Sequence, residues 1–196
     1  IPFIDTITST NVGLMNLIEI DGNKFDRGPS LMRLKCSSAC SLSFTGNKLL
    51  NCSNRVVNFH PIGYSPKVLI VTRNVQYGGF LFNQLQTGVS KATGTSYAEF
   101  SNNYVASTTP GTAGNATILI DDGTTPWLSQ YENIRIVDNM FKDASDAIRC
   151  SGSAVSGISS LNKLWFGDNS STNSTATCQY PAVNKANTDM PQNITI

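Results

Sequence analysis

One asparagine recurs in the same apolar frame along most of this chain, and a frame repeated at such intervals leaves few folds open. Six segments align on it: LIEIDGNKF on Asn23, LSFTGNKLL on Asn47, LIVTRNVQY on Asn74, AEFSNNYVA on Asn103, IRIVDNMFK on Asn139 and ISSLNKLWF on Asn162. Successive spacings are 24, 27, 29, 36 and 23 residues. In the first five segments the residue three before the asparagine is Ile20, Phe44, Val71, Phe100 or Ile136. Five before, it is Ile18, Leu42, Leu69, Ala98 or Ile134. Two after, it is Phe25, Leu49, Val105 or Phe141, with Gln76 as the exception. The sixth segment fits this frame least well.

A second alternating stretch follows each of the first five: 31–36, 56–60, 79–85, 116–121 and 147–150. Alternation with period two marks strands with one buried face. Two or three short strands per repeat, without helical periodicity, predict one coil of a parallel β-solenoid. Coils stack at about 4.8 Å, so an amide at one turn lies over the same amide below. Each can then bond its neighbours and the turn backbone, which satisfies polar groups that burial would otherwise orphan.

This pattern resembles the asparagine ladder of the pectate-lyase-like superfamily, whose members include polysaccharide lyases, polygalacturonase-type hydrolases and bacteriophage tailspikes. The resemblance spans roughly residues 13–166 and implies an all-β, right-handed parallel β-helix of about six coils. On this reading residues 1–166 are coils, and 167–196 form an Asn/Ser/Thr-rich loop leading to a possible further coil. The start at Ile1 and the strand-like ending read as a piece of a longer protein.

Composition supports the class. Twenty asparagines among 196 residues read as turn-dense, because Asn tolerates left-handed backbone and bonds its own main chain. A hydrophobic share of 40% argues against disorder. The net charge of +1 gives no electrostatic footprint for nucleic acid or an acidic membrane surface. No apolar run reaches membrane-span length. Five cysteines at irregular spacing and one histidine do not build a zinc site, so buried free thiols are expected, with no metal and no cofactor.

Candidate chemistry lies on outward strand faces and in inserted loops. Four residues before each asparagine, Glu19, Ser43, Ile70, Glu99 and Arg135 should form one exposed column, with Glu99 and Arg135 on consecutive coils. A surface ion pair is the plainer reading of those two. The 36-residue step from Asn103 to Asn139 exceeds the shortest full steps by about 12 residues. It carries Asp121, Asp122, Trp127 and Tyr131. Loops leaving a rigid scaffold commonly bind ligands, and an aromatic ring beside carboxylates suits a sugar. The alternative is that Trp127 and Tyr131 fold back over a coil. Asp121, Asp122 and Asp146 are the candidate acids, because hydrolysis needs two carboxylates at controlled separation, roughly 5–10 Å across adjacent coils. Arg149 is the candidate cation, with Trp127, Tyr131, Glu99 and Arg135 as substrate contacts. Asp121-Asp122 resembles the paired aspartates of polygalacturonases, without that family's His-Gly and Arg-x-Lys elements.

The resemblance implies a homotrimeric virion tailspike that binds, and in the enzymatic reading depolymerises, a bacterial surface polysaccharide. A non-enzymatic β-helix shaft or adhesin domain is the alternative, and a secreted extracellular lyase or hydrolase is a second. The latter would call for paired cysteines.

Overall fold

The computed structural model describes residues 4–5, 15–27, 32–34, 36–51, 57–59, 66–78, 97–106, 118–121, 133–143, 145–150, 163–167, 169–172 and 175–178. Among them every regular element is a β-strand, and every strand pairing is parallel.

Each repeat places one strand in a first, six-stranded sheet. In chain order these are β2 (Met15–Asp21), β5 (Cys36–Thr45), β8 (Val68–Thr72), β10 (Tyr97–Ser101), β13 (Asn133–Val137) and β16 (Lys163–Gly167). The asparagine follows, and then a three-residue strand in a second six-stranded sheet. These are β3 (Lys24–Asp26), β6 (Lys48–Leu50), β9 (Val75–Tyr77), β11 (Tyr104–Ala106), β14 (Met140–Lys142) and β17 (Ser170–Thr172). A third strand follows in most repeats. β1 (Ile4–Asp5), β4 (Met32–Leu34) and β7 (Val57–Phe59) form one three-stranded sheet. β12 (Ile118–Asp121), β15 (Ser145–Cys150) and β18 (Thr175–Cys178) form another. The alternating stretches expected as second strands therefore occupy the third position, and 79–85 lies outside the described residues. Paired strands continue through Cys178, past the boundary expected at 166.

The register explains why the apolar positions recur. Ile18, Leu42, Leu69, Ala98, Ile134 and Leu164 stand opposite one another across the first sheet. So do Ile20, Phe44, Val71, Phe100, Ile136 and Phe166. Where side chains are described, both rows are buried. In the second sheet Phe25, Leu49, Gln76, Val105 and Phe141 make a third buried row. The Phe25 and Phe44 rings stack between the two sheets at 6.2 Å. Gln76 is the one polar member described in that row. It is wholly buried; its Nε2 donates to the Gly78 carbonyl at 2.9 Å, while its Oε1 has no partner.

The asparagines form a continuous column at the corner between the sheets. The backbone N–H of Asn23, Asn47, Asn74, Asn103 and Asn139 each donates to the side-chain Oδ1 of the next asparagine, at 2.9–3.1 Å. Each Nδ2 donates to that same oxygen, at 2.9–3.3 Å. From Asn47 onward the second Nδ2 proton goes to a carbonyl one repeat back: Ile20, Phe44, Val71, Phe100 or Ile136, each at 2.9 Å. Every interior amide thus spends its full donor capacity and accepts twice, which removes the penalty of burying it. Asn23 is the exposed first member, and its Nδ2 turns to its own Asp21 carbonyl instead.

The sixth member corrects the sequence reading. It is Asn169, not Asn162, with Leu164 and Phe166 at the two apolar positions before it. Asn162 lies outside the described residues. The frame was missed because position two after Asn169 is Ser171, which breaks the apolar rule that located the others.

Wherever the flanking residues are described, left-handed residues bracket the strands of the second sheet. The one before the asparagine is Gly22, Gly46, Arg73, Asn102 or Asp138, with φ between 55° and 68°. The one after the strand is Arg27, Asn51, Gly78 or Asp143, with φ between 49° and 75°. Left-handed geometry reverses the strand's direction within one residue, and Gly, Asn and Asp adopt it at least cost. These corners also bond along the stack: Gly22, Gly46, Arg73 and Asn102 each donate N–H to a carbonyl of the next repeat, at 3.0–3.2 Å.

Candidate functional site

Strand alternation turns the positions between the buried rows outward. On the first sheet this builds a column of Glu19, Ser43, Ile70, Glu99 and Arg135, each backbone opposite the next. The sequence-derived column thus has the register expected of it.

Polar contacts concentrate at Glu99. Tyr97 and Ser101, two residues either side, lie on the same face and both donate to its carboxylate. The Tyr97 hydroxyl reaches Oε2, and Ser101 Oγ reaches Oε1 at 2.8 Å. Thr72 Oγ1, one strand back, is 3.1 Å from Ser101 Oγ. Arg135, one strand forward, places Nε 3.9 Å from Oε1. Partial burial, and then the adjoining carboxylate, push the Tyr97 hydroxyl up to about 12. The Glu99 side chain is 24% exposed and Arg135 49%. The carboxylate is therefore fixed in orientation, while the outer nitrogens of Arg135 have no partner among the described residues and face solvent. Sequence reasoning found Glu99 and Arg135 but missed Tyr97 and Ser101; the i±2 rule applied to YAEFS would have found them.

This cluster can hold an oxygen-rich ligand, but by itself it does not assemble paired-carboxylate hydrolysis. Glu19, in the same column, stands three strands away, about 14 Å at ordinary strand spacing. That exceeds the separations at which two carboxyls cooperate across a glycosidic bond, roughly 5–9.5 Å.

A second outward surface lies on the neighbouring sheet. Tyr77 and Tyr104 sit on adjacent strands with ring centroids 5.7 Å apart and planes at 59°. Met140 extends the row beside Tyr104, and Tyr77 and Met140 are 43% and 51% exposed. Lys48 and Lys142 stand in the same two rows. This aromatic strip was not anticipated, because three-residue strands carry too little alternation to declare a face.

Of the residues expected to form an acidic site, Asp121, Asp146 and Arg149 have described backbone positions. Asp122, Trp127 and Tyr131 lie outside the described residues. β12 and β15 pair as expected for consecutive repeats, with Leu119 opposite Arg149 and Asp121 opposite Cys150. Asp121 and Arg149 thus belong to the same end of the pair. Asp146 comes four residues before Cys150, a rise of about 13 Å along the strand. The register brings the Asp121 backbone next to Arg149, with Asp146 farther back along β15. Among the described residues, no three His, Cys, Asp or Glu side chains cluster as metal ligands would, and no helix is long and apolar enough to cross a membrane. The chain matches no family model, no curated protein and no solved structure.

Proposed function

We propose that this chain is a length of right-handed parallel β-helix from a bacteriophage tailspike, and that its outward faces bind a bacterial surface polysaccharide. The observation that carries the reading is the Tyr97–Glu99–Arg135 cluster. A carboxylate whose orientation is fixed by two hydroxyls can accept from sugar hydroxyls. The solvent-facing guanidinium can engage a uronate or other acidic substituent through paired N–H donors. The Tyr77–Tyr104 strip supports the same reading, since aromatic rings pack against the apolar faces of sugars. In this proposal the protein works as a homotrimer on the virion tail. The parallel sheets and the amide column support the β-helix, whose stacked repeats need cover along one side.

Depolymerisation is the further step of this proposal. It assigns Asp121 and Asp122 to acid–base chemistry and Arg149 to the substrate's charge. A binding shaft without catalysis is the second reading, favoured by the absence of a second carboxylate beside Glu99 among the described residues.

Affinity electrophoresis of the protein in gels containing capsular or O-antigen polysaccharide tests binding. Retardation that Arg135→Ala and Glu99→Gln both weaken, at unchanged melting temperature, is expected. No retardation in any acidic polysaccharide would refute the reading. New reducing ends or unsaturated uronates in the same mixtures, lost in Asp121→Asn, would separate the enzyme from the shaft.

A further inference from the structure

The first sheet carries one irregularity, and it brings two thiols together. Met15 on β2 stands opposite Cys36 on β5, but Leu17 stands opposite Ser41. Two steps along one strand therefore match five along the other, and three extra residues of β5 are accommodated as a bulge. Its turn is held from within and without. Ala39 N–H donates to Ser37 Oγ at 3.2 Å, the Ser37 hydroxyl donates to Asn16 Oδ1, and Lys67 N–H donates to the Cys40 carbonyl at 2.7 Å. Ala39 is exposed and Ser37 and Ser38 are half-buried, while Cys36 and Cys40 turn inward and are wholly buried.

In an unbroken strand, residues four apart are separated by about 13 Å, beyond disulfide reach. Here Cys36 and Ser41 stand only two levels apart on β2, about 7 Å, so Cys40 falls at roughly 5–7 Å from Cys36. Disulfides span Cα separations of about 4.4–6.8 Å. Both cysteines are free, and their thiols are hydrogen-bonded to each other.

We propose that Cys36 and Cys40 form a peroxide-oxidisable dithiol that closes to a disulfide across the base of this bulge. The shared hydrogen bond divides the labour. Accepting from Cys36 holds the Cys40 thiol below its ordinary range, against its own burial, while the same bond and burial push Cys36 up. Of the two, Cys40 is the readier to lose its proton. The Cys40 thiolate attacks one oxygen of hydrogen peroxide, breaking the O–O bond. That leaves a sulfenic acid and hydroxide, which takes a proton to become water. The Cys36 sulfur then attacks the sulfenic sulfur, and its proton leaves with the hydroxyl as a second water. Two thiols and one peroxide become one disulfide and two waters. Hydrogen peroxide is a small oxidant, whereas a bulky disulfide reagent is held off by the burial of both sulfurs.

The sequence makes the product easy to read. Lys35 and Lys48 bracket a tryptic peptide, residues 36–48, that contains these two of the five cysteines and no other. The reduced full chain is treated with hydrogen peroxide, alkylated, digested and weighed. The expected peptide is unalkylated and two hydrogen atoms lighter than the dithiol, and it accepts two alkyl groups after reduction with dithiothreitol. Repeated in denaturant, where the bulge no longer holds the pair, the same treatment should spread the links among all five cysteines. In Cys36→Ser the resolving sulfur is gone, and a dimedone adduct at Cys40 is expected. Doubly alkylated peptide from peroxide-treated native protein, or a native link joining either cysteine to Cys52, Cys150 or Cys178, would overturn the proposal even if the variant fails to fold.

Discussion

Replacing Asn74 with alanine tests the amide column where it is fully developed. The side chain of Asn74 accepts from Asn47 N–H and Asn47 Nδ2, at 2.9 and 3.2 Å, and donates to the Phe44 carbonyl and Asn103 Oδ1, at 2.9 and 3.0 Å. Three of these four losses are cushioned or shared. Asn47 Nδ2 keeps the Ile20 carbonyl, Asn103 Oδ1 keeps the Asn74 N–H, and only the donor to the Phe44 carbonyl goes. The Asn47 N–H is different, because in its buried corner it has no other acceptor. One orphaned buried donor costs about 1–3 kcal/mol, and each of the three remaining lost bonds about 0.5–1, which gives about 2.5–6 kcal/mol in all. For a chain of this size that lowers the melting temperature by about 5–20 °C. Asn23→Ala is the internal control. Its exposed amide donates to Asp21 and Asn47, but among the described residues no backbone N–H depends on it, so the loss should be about 1 kcal/mol or less. Urea unfolding followed by far-ultraviolet circular dichroism measures both. If the two variants differ by less than about 0.5 kcal/mol, burial and stacking do not set the value of these amides, and the reasoning fails.

Three other perturbations have worked-out signs. Gln76→Met should stabilise by about 1 kcal/mol in the same unfolding assay, because it removes the unpartnered Oε1 from an apolar row and gives up one bond to Gly78. A destabilisation would show that the amide has a role the geometry does not reveal. At the left-handed corner before the asparagine, Gly46→Ala should cost about 1 kcal/mol and Arg73→Gly should gain up to about 1. Here φ is 62° and 57°, and a Cβ at Gly46 would lie 3.2 Å from Asp21 Oδ1; equal signs would contradict the strain argument. The Tyr97 hydroxyl titrates near 10.0 when exposed and near 12 in the fold. Raised in the folded state, it contributes stability that is intact below pH 10 and lost as the pH rises towards 12. The difference in tyrosinate absorbance between wild type and Tyr97→Phe should therefore appear late, and an ordinary titration midpoint would remove Glu99 from its surroundings.

The column was legible in the sequence because an amide set among isoleucines, leucines and phenylalanines can be buried only if something repays its polarity. Five of its members follow from that one constraint. Asn169 escaped because the rule leaned on an apolar residue two positions on, and Ser171 supplies none. The left-handed corners were half visible: Gly22, Gly46, Asn102 and Asp138 are residues that tolerate such backbone, but Arg73 gives no sign of it. The three-residue strands of the second sheet were folded into the turn in the sequence reading, since alternation needs more length to register. For the candidate site, position four before each asparagine predicted that Glu99 would meet Arg135, and they meet. Contacts from Tyr97 and Ser101 required attention to the strand's own neighbours. The separation of Asp121 from Asp146 follows from their places on paired strands, Asp121 at the end of β12 and Asp146 near the start of β15, and the strand boundaries that set it were not sharp in the sequence.

The column also has a direction. Every interior amide accepts at its oxygen from the preceding repeat and gives one Nδ2 proton to the oxygen of the following asparagine, so the oxygen-to-nitrogen links run one way along the column. At Asn23 the oxygen accepts nothing among the described residues, while at Asn169 the backbone N–H likewise has no described acceptor. Among the described residues the stack is thus a polar crystal one unit wide, its acceptors facing one end and its donors the other. Such an object can change length only in whole units. Removing residues 47–73 would join Gly46 to Asn74 and present Asn23 with a new neighbour in an equivalent frame. A deletion that cut into one strand–asparagine–strand frame would leave that corner out of phase, with a donor and an acceptor facing nothing. Gene rearrangements in a chain like this should therefore be quantised, with viable lengths separated by the spacing between one asparagine and the next.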